Sequence, residues 1–135
     1  MDSNTQLVLF TDGGARGNPG PAAIGYVIID GSTVLAERGE TIGTATNNVA
    51  EYTALLRGLT HAKELGVRVV TCKLDSLLVV EQLNRNYKVK DATLAQLFTK
   101  VWNLTHDFQR VTFQHIPREQ NGHADALVNA ALDAP

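Results

Sequence analysis

TDGGARGNPGPAAIGYVI, residues 11 to 28, links two apolar runs through a stretch dense in glycine and proline. Leu7 to Thr11 leads into it and is rich in strand formers. Ala23 to Ile29 follows and ends at the turn signal Asp30-Gly31. Thr33 to Thr41 is a third, more polar run, as suits an edge strand. The three runs predict an antiparallel meander. Asp12 falls at the end of the first run, directly before the glycines, so its role depends on what the rest of the chain brings beside it.

Beyond the meander the period changes. Leu55, Leu56, Leu59, Ala62 and Leu65 recur at helical spacing. Thr46, Asn47 and Asn48 are N-cap candidates ahead of them, and Gly66 is a natural C′ residue. Val67, Val69, Cys72 and Leu74 predict a buried strand ending at Asp75. Ser76 to Leu83 reads as a short helix, Leu94 to Phe108 as another and Val111 to His115 as a last strand. Asn121 is placed to cap a closing helix through Leu132. The order βββαβααβα predicts an α/β domain, a mixed sheet with helices packed on it. Residues 1–135 read as one such domain.

Composition agrees. At 44% apolar and 19% charged residues the chain is globular in character. Cys72 is the single cysteine, so no internal disulfide forms, which fits a reducing compartment. MDSNTQ lacks the basic and apolar regions of a signal peptide, and no apolar run approaches the ~20 residues needed to span a bilayer. A cytoplasmic monomer without membrane contact is expected. A net charge of −2 argues against coating nucleic acid through bulk charge. It leaves room for a nucleic-acid enzyme whose clustered carboxylates become electropositive on binding metal.

Four acids fall near the termini of predicted elements: Asp12 and Asp75 at strand ends, Glu51 and Asp125 in the first turn or so of helices. In α/β sheets such termini meet at one edge, where sites form. Each acid also has a structural reading. Glu51 and Asp125 would gain ~0.3–1 kcal/mol from a helix dipole, and Asp12 and Asp75 could begin turns. Their shared placement argues for a cluster instead. A carboxylate cluster is tolerable when cations occupy it, and hard oxygen ligands favour Mg²⁺ or Mn²⁺. Two ions about 3.5–4 Å apart suit phosphodiester hydrolysis. Asp12 and Asp75 would bridge or flank both ions, with Glu51 and Asp125 holding one each. Gly13, Gly14 and Gly17 allow close backbone approach, and Asn18 with Thr46-Asn47-Asn48 adds neutral donors suited to sugar hydroxyls and phosphates. The glycine stretch lacks the lysine of a P-loop and the spacing of a dinucleotide fingerprint.

TDGGARGNPGPAAIGYVI, then TNNVAEYTALLRGL, then LDS, then IPREQNGHADALVNAA, resembles the type 1 ribonuclease H family, in order and over nearly the whole chain. The resemblance implies a five-stranded mixed sheet, strands 1 to 3 antiparallel, with helices on both faces. It implies Mg²⁺-dependent endonucleolytic cleavage of the RNA strand of RNA–DNA hybrids without sequence specificity, leaving 5′-phosphate and 3′-hydroxyl ends. The family's four metal-binding acids fall on Asp12, Glu51, Asp75 and Asp125. Contacts to RNA 2′-hydroxyls and backbone fall on Gly13, Asn18, Asn47, Asn48 and Ser76, and Thr46 with Asn18 would seat a DNA phosphate. The 2′-hydroxyl, which both donates and accepts, is what separates RNA from DNA.

The chain departs from the family pattern in three places. The loop ahead of Asp125 is short, and the assisting role many members give a histidine falls on Arg118, with His115 and His123 as competitors. The Asn84 to Asp91 segment carries only Arg85, Lys88 and Lys90 where some members have a long basic protrusion, so weaker substrate binding is expected. Leu77 stands where a glutamine is common, so double-stranded RNA becomes a conceivable second substrate. A non-catalytic module that binds hybrid or double-stranded RNA is the competing reading. The intact acid set argues against it, and TNNVAEY argues against a resolvase or exonuclease.

Overall fold

Strand β1 (Gln6–Ala15) sits at the centre of a sheet ordered β3-β2-β1-β4-β5. It pairs antiparallel with β2 (Gly20–Asp30), which pairs antiparallel with the edge strand β3 (Thr33–Ala45). On its other side lie β4 (Val69–Leu74) and β5 (Arg110–His115), both parallel. The computed structural model describes residues 6–134, and most of the N-terminal stretch read above for a leader lies outside them. No helix is long and apolar enough to cross a membrane among the described residues.

The expected order is found, with an added 3₁₀ turn at Arg118–Gln120. Helix α1 (Asn47–Glu64) is capped by Thr46, whose side chain accepts from Val49 N, and ends before Gly66, at φ +81°. Ser76 caps α2 (Leu77–Leu83) and Asp91 caps α3 (Ala92–Thr105) in the same way. The closing helix is α4 (Gly122–Asp133).

Alternation along β1 sends neighbouring residues to opposite faces. Leu7, Leu9, Thr11 and Gly13 are buried, with Leu9 against Gly58 and Gly13 against Ala50 of α1. Asp12 pairs with Gly25, which lies against Ala124 and Leu127 of α4. Helices therefore cover both faces. The main core is Leu9, Ile28, Tyr52, Leu55, Leu59 and Val79, all fully buried, and Tyr52 Oη donates to Gln82 Oε1 at 2.7 Å to tie α1 to α2.

Five expectations are corrected. β1 continues through Gly13 and Gly14 to Ala15, so Asp12 is inside a strand and those glycines are not in a loop. It does so because β2 pairs with it as far as Ala15, whereas β4 stops at Leu74. β3 runs to Ala45, past Thr41, across a register shift at Ala22/Ala23 that leaves Ile42 unmatched. Glu51 lies in the second turn of α1, because Thr46 is the cap. α3 starts earlier than Leu94 and ends before Phe108. Asn121 occupies the N-cap position of α4 but makes no side-chain cap bond.

Candidate active site

The site forms where the two sides of β1 end at different points. Thr11 is opposite Leu74, the last residue of β4, so Asp12 and Asp75 both stand just past the end of that ladder. β2 meanwhile holds β1 straight through Gly13 and Gly14. Gly13 has no side chain, so α1 lies almost against the strand, and this brings Glu51 to Asp12. Oxygens of Asp12, Glu51 and Asp75 lie within 4.8 Å of one another. Asp125, in the first turn of α4, lines the same cleft and lies near enough to Asp12 to raise its carboxyl.

These carboxyls have little to balance them. None of the four forms an ion pair among the described residues. Burial pushes Asp12 up from 3.8 to about 8, with Asp75, the hydrogen bond to Asp125 and the charges of Asp125 and Glu51 adding to it. Burial likewise pushes Glu51 up from 4.5 to about 7, with Asp75 adding and a hydrogen bond from Ser76 opposing. Ser76 thus sits between the acids and α2: its hydroxyl opposes the rise at Glu51 and accepts from Val79 N at 3.3 Å. A hard-oxygen donor set of half-buried carboxyls without ion-pair partners among the described residues fits divalent cations, which would discharge the repulsion.

Beside the acids is a cleft of about 400 Å³, lined by all four of them and by Gly13, Asn47 and Arg118. Arg118 opens the 3₁₀ turn and is exposed. Neither rival histidine lines this cleft. His115 closes β5, and His123 Nε2 lies 2.7 Å from Glu37 Oε2 on β3. Arg16 and Asn129 also line it and were not singled out from the sequence. Asn129 Nδ2 donates to Asp125 Oδ2 at 3.4 Å, an i, i+4 relation the sequence does carry.

The asparagines at the rim are already oriented. Asn47 Oδ1 accepts from Ala15 N at 2.8 Å, and Asn18 Oδ1 accepts from Asn47 N at 3.1 Å. With both amide oxygens taken by backbone N–H groups, the NH₂ donors are what remain to offer a ligand. Thr46 Oγ1 accepts from Val49 N at 3.2 Å, which likewise leaves its hydroxyl proton to give. Asn48 is half-buried at the start of α1 and does not line the cleft.

The profile of a family described as reverse transcriptase-like matches residues 10–131. A Mycobacterium tuberculosis protein described as bifunctional is 47% identical over 131 residues, covering 96% of this chain and 36% of that protein. The chain thus spans about a third of the length of the first curated relatives it matches. Ribonuclease HI of Halobacterium salinarum is 41% identical over 133 residues, covering 98% of this chain and 67% of that protein. A ribonuclease H1 from a compost metagenome, solved in complex with an RNA/DNA hybrid, superposes with a TM-score of 0.90 at 46% identity, covering 94% of this chain and 96% of that one.

Proposed function

The chain belongs to the type 1 ribonuclease H family, and we propose that it cleaves the RNA strand of RNA–DNA hybrids endonucleolytically, without sequence preference. The products would carry 5′-phosphate and 3′-hydroxyl ends. The observation that carries this reading is the convergence of carboxylate oxygens of Asp12, Glu51 and Asp75 to within 4.8 Å, on half-buried side chains that form no ion pair among the described residues. Asp12, Glu51, Asp75 and Asp125 would hold two divalent cations, Mg²⁺ or Mn²⁺. Bound there, the cations supply activation of the attacking water and stabilisation of the leaving oxygen. A monomer in the cytoplasm belongs to the same proposal.

The protein's own groups then have separable tasks. Gly13 lines the cleft beside the acids, where its backbone would meet a ribose-phosphate strand. Asn18 and Asn47 present amide donors to phosphate or 2′-hydroxyl oxygens, their own oxygens being occupied. Asn48, Thr46 and Ser76 complete the set of short polar groups along the α1 and α2 starts. An end-labelled hybrid incubated with Mg²⁺, or with EDTA, tests the whole. Internal cuts in the RNA strand alone, lost in EDTA, are expected. A folded protein that cuts nothing with either Mg²⁺ or Mn²⁺ would be a binding module instead.

Arg118 remains protonated and so serves electrostatically, on the phosphate or the leaving group. Arg118→Ala should lower kcat by about tenfold or more, as loss of a charged hydrogen bond worth ~1.5–3 kcal/mol would. His115→Ala and His123→Ala should stay within about twofold. Comparable losses in all three would remove Arg118 from the role.

Leu77 is 51% exposed, beside Ser76 at the start of α2. A leucine there makes no hydrogen bond to a groove edge, so we expect measurable cleavage of double-stranded RNA. Leu77→Gln should raise the ratio of hybrid to double-stranded RNA cleavage by about fivefold, the effect of one hydrogen bond of ~1 kcal/mol. An unchanged ratio would show that Leu77 does not set the preference.

A further inference from the structure

Three of the four α-helices among the described residues are capped by a side-chain oxygen: Thr46, Ser76 and Asp91 each accept from an N–H of the first turn. The fourth is different. Asn121, at the N-cap position of α4, is fully buried and bonds no N–H of its helix through its side chain. Asparagine is among the best N-cap residues, and a cap is worth ~1 kcal/mol. This one points its amide elsewhere. Nδ2 donates to Thr11 O at 2.9 Å and to Asp75 Oδ2 at 3.1 Å, so both of its protons are used on the strands that carry the acids. Its backbone completes the junction: N donates to Arg118 O at 2.9 Å and O accepts from Asp125 N at 3.0 Å. One residue therefore touches the carboxylate of Asp75, the strand immediately before Asp12, the turn of Arg118 and the residue Asp125. Asn121 Oδ1 and Thr11 Oγ1, both buried, find no hydrogen-bond partner among the described residues.

We propose that Asn121 is a positioning residue for the acid cluster. It fixes one oxygen of Asp75, which sets the carboxylate plane and leaves the other oxygen to face a cation. It also locks the start of α4, and with it Asp125, to β1. Serine or alanine could end the same loop, but neither has two protons to divide between a carbonyl and a carboxylate. Aspartate has none and would set a further negative charge against Asp75. Outer partners of this kind typically change metal affinity or activity by ~10–100-fold when removed.

The inference rests on the reading of the acids as a cation site, so its test begins without substrate. Mg²⁺ is titrated calorimetrically into the wild type, Asn121→Ala, Asn121→Ser and Asp12→Asn. We expect about a tenfold or greater weakening of Mg²⁺ binding in Asn121→Ala, with partial recovery in Asn121→Ser, which keeps one donor. With hybrid present, the Mg²⁺ concentration for half-maximal rate should rise while KM for the hybrid stays within about twofold. Wild-type Mg²⁺ affinity in folded Asn121→Ala, with binding lost in Asp12→Asn, would overturn the positioning role and leave the cation site standing. Wild type that binds no Mg²⁺ would overturn the cation site itself. If neither Asn121 variant folds, Asn121 is a structural tie and the proposal falls.

Discussion

Asp12→Asn is expected to lower hybrid cleavage by about a thousandfold or more and, at pH 8 without metal, to make the protein more stable. The first effect follows from the worth of bound cations, several kcal/mol of transition-state charge stabilisation, where ~4 kcal/mol is about a thousandfold. The second follows from the carboxyl's environment. Burial, then Asp75, Asp125 and Glu51, raise Asp12 from 3.8 to about 8. Between those values the folded state holds a proton that the unfolded chain has released. Stability contributed by the protonated carboxyl is therefore fully present below about pH 4 and is lost as pH rises towards about 8. Glu51, raised from 4.5 to about 7, acts in the same direction. Asparagine has no proton to release, so the variant escapes the Asp12 part of this loss. Thermal unfolding in EDTA from pH 4 to pH 8 should show equal Tm values at the acid end and a growing advantage for Asp12→Asn, at least about 5 °C by pH 8. Mg²⁺ should raise the wild-type Tm at pH 8 and leave the variant nearly unmoved. A variant no more stable than wild type at pH 8 would mean that burial and the neighbouring acids do not raise the Asp12 carboxyl as its position requires.

The elements that the sequence disclosed are those whose signals are local. Asp30-Gly31 announces the β2–β3 hairpin, with Gly31 at φ +63°, and Gly66 announces the end of α1. The apolar spacing from Leu55 to Ala62 is the buried stripe of that helix. The end of β1 has no such signal. It depends on β2 pairing past the point where β4 stops, and that is decided by contacts far apart in sequence. Thr46, Asn47 and Asn48 are all competent caps by sequence, so the sequence leaves open whether Glu51 falls in the first turn or, as Thr46 capping dictates, just past it. The four acids were legible as a group because element termini in an α/β sheet converge. The cause of their closeness, the approach of α1 to Gly13, was not. Asn121 illustrates the limit most clearly: a polar residue before an apolar helix reads as a cap, and nothing local distinguishes a cap from a tie to Asp75.

That approach of α1 gives the second large effect. A Cβ added at Gly13 would meet the carbonyl of Ala50 and lie 2.6 Å from the backbone N of Glu51. These are backbone atoms of a helix interior, so no side-chain rotation relieves the contact. The strand cannot retreat either, because Gly13 is paired with Ile24 across the ladder. Gly13→Ala must move the start of α1, which carries Glu51, away from Asp12. Overpacking of a buried site costs ~1–3 kcal/mol, and a rigid contact falls at or above the top of that range. We expect Tm to fall by about 5–15 °C. In the fraction that remains folded, cleavage should drop by about a hundredfold, since misplacement by ~1 Å suffices for that. Gly31→Ala separates this from a general intolerance of glycine replacement. Its Cβ would meet nothing within 4 Å, and its φ of +63° carries only the strain of the left-handed region, ~1–2 kcal/mol. It should lose a few degrees of Tm and none of the cleavage per folded molecule. If Gly13→Ala instead behaved like Gly31→Ala, the helix and strand would have slack between them. The distance from Asp12 to Glu51 would then be set by the acids and their cations, and not by the missing side chain.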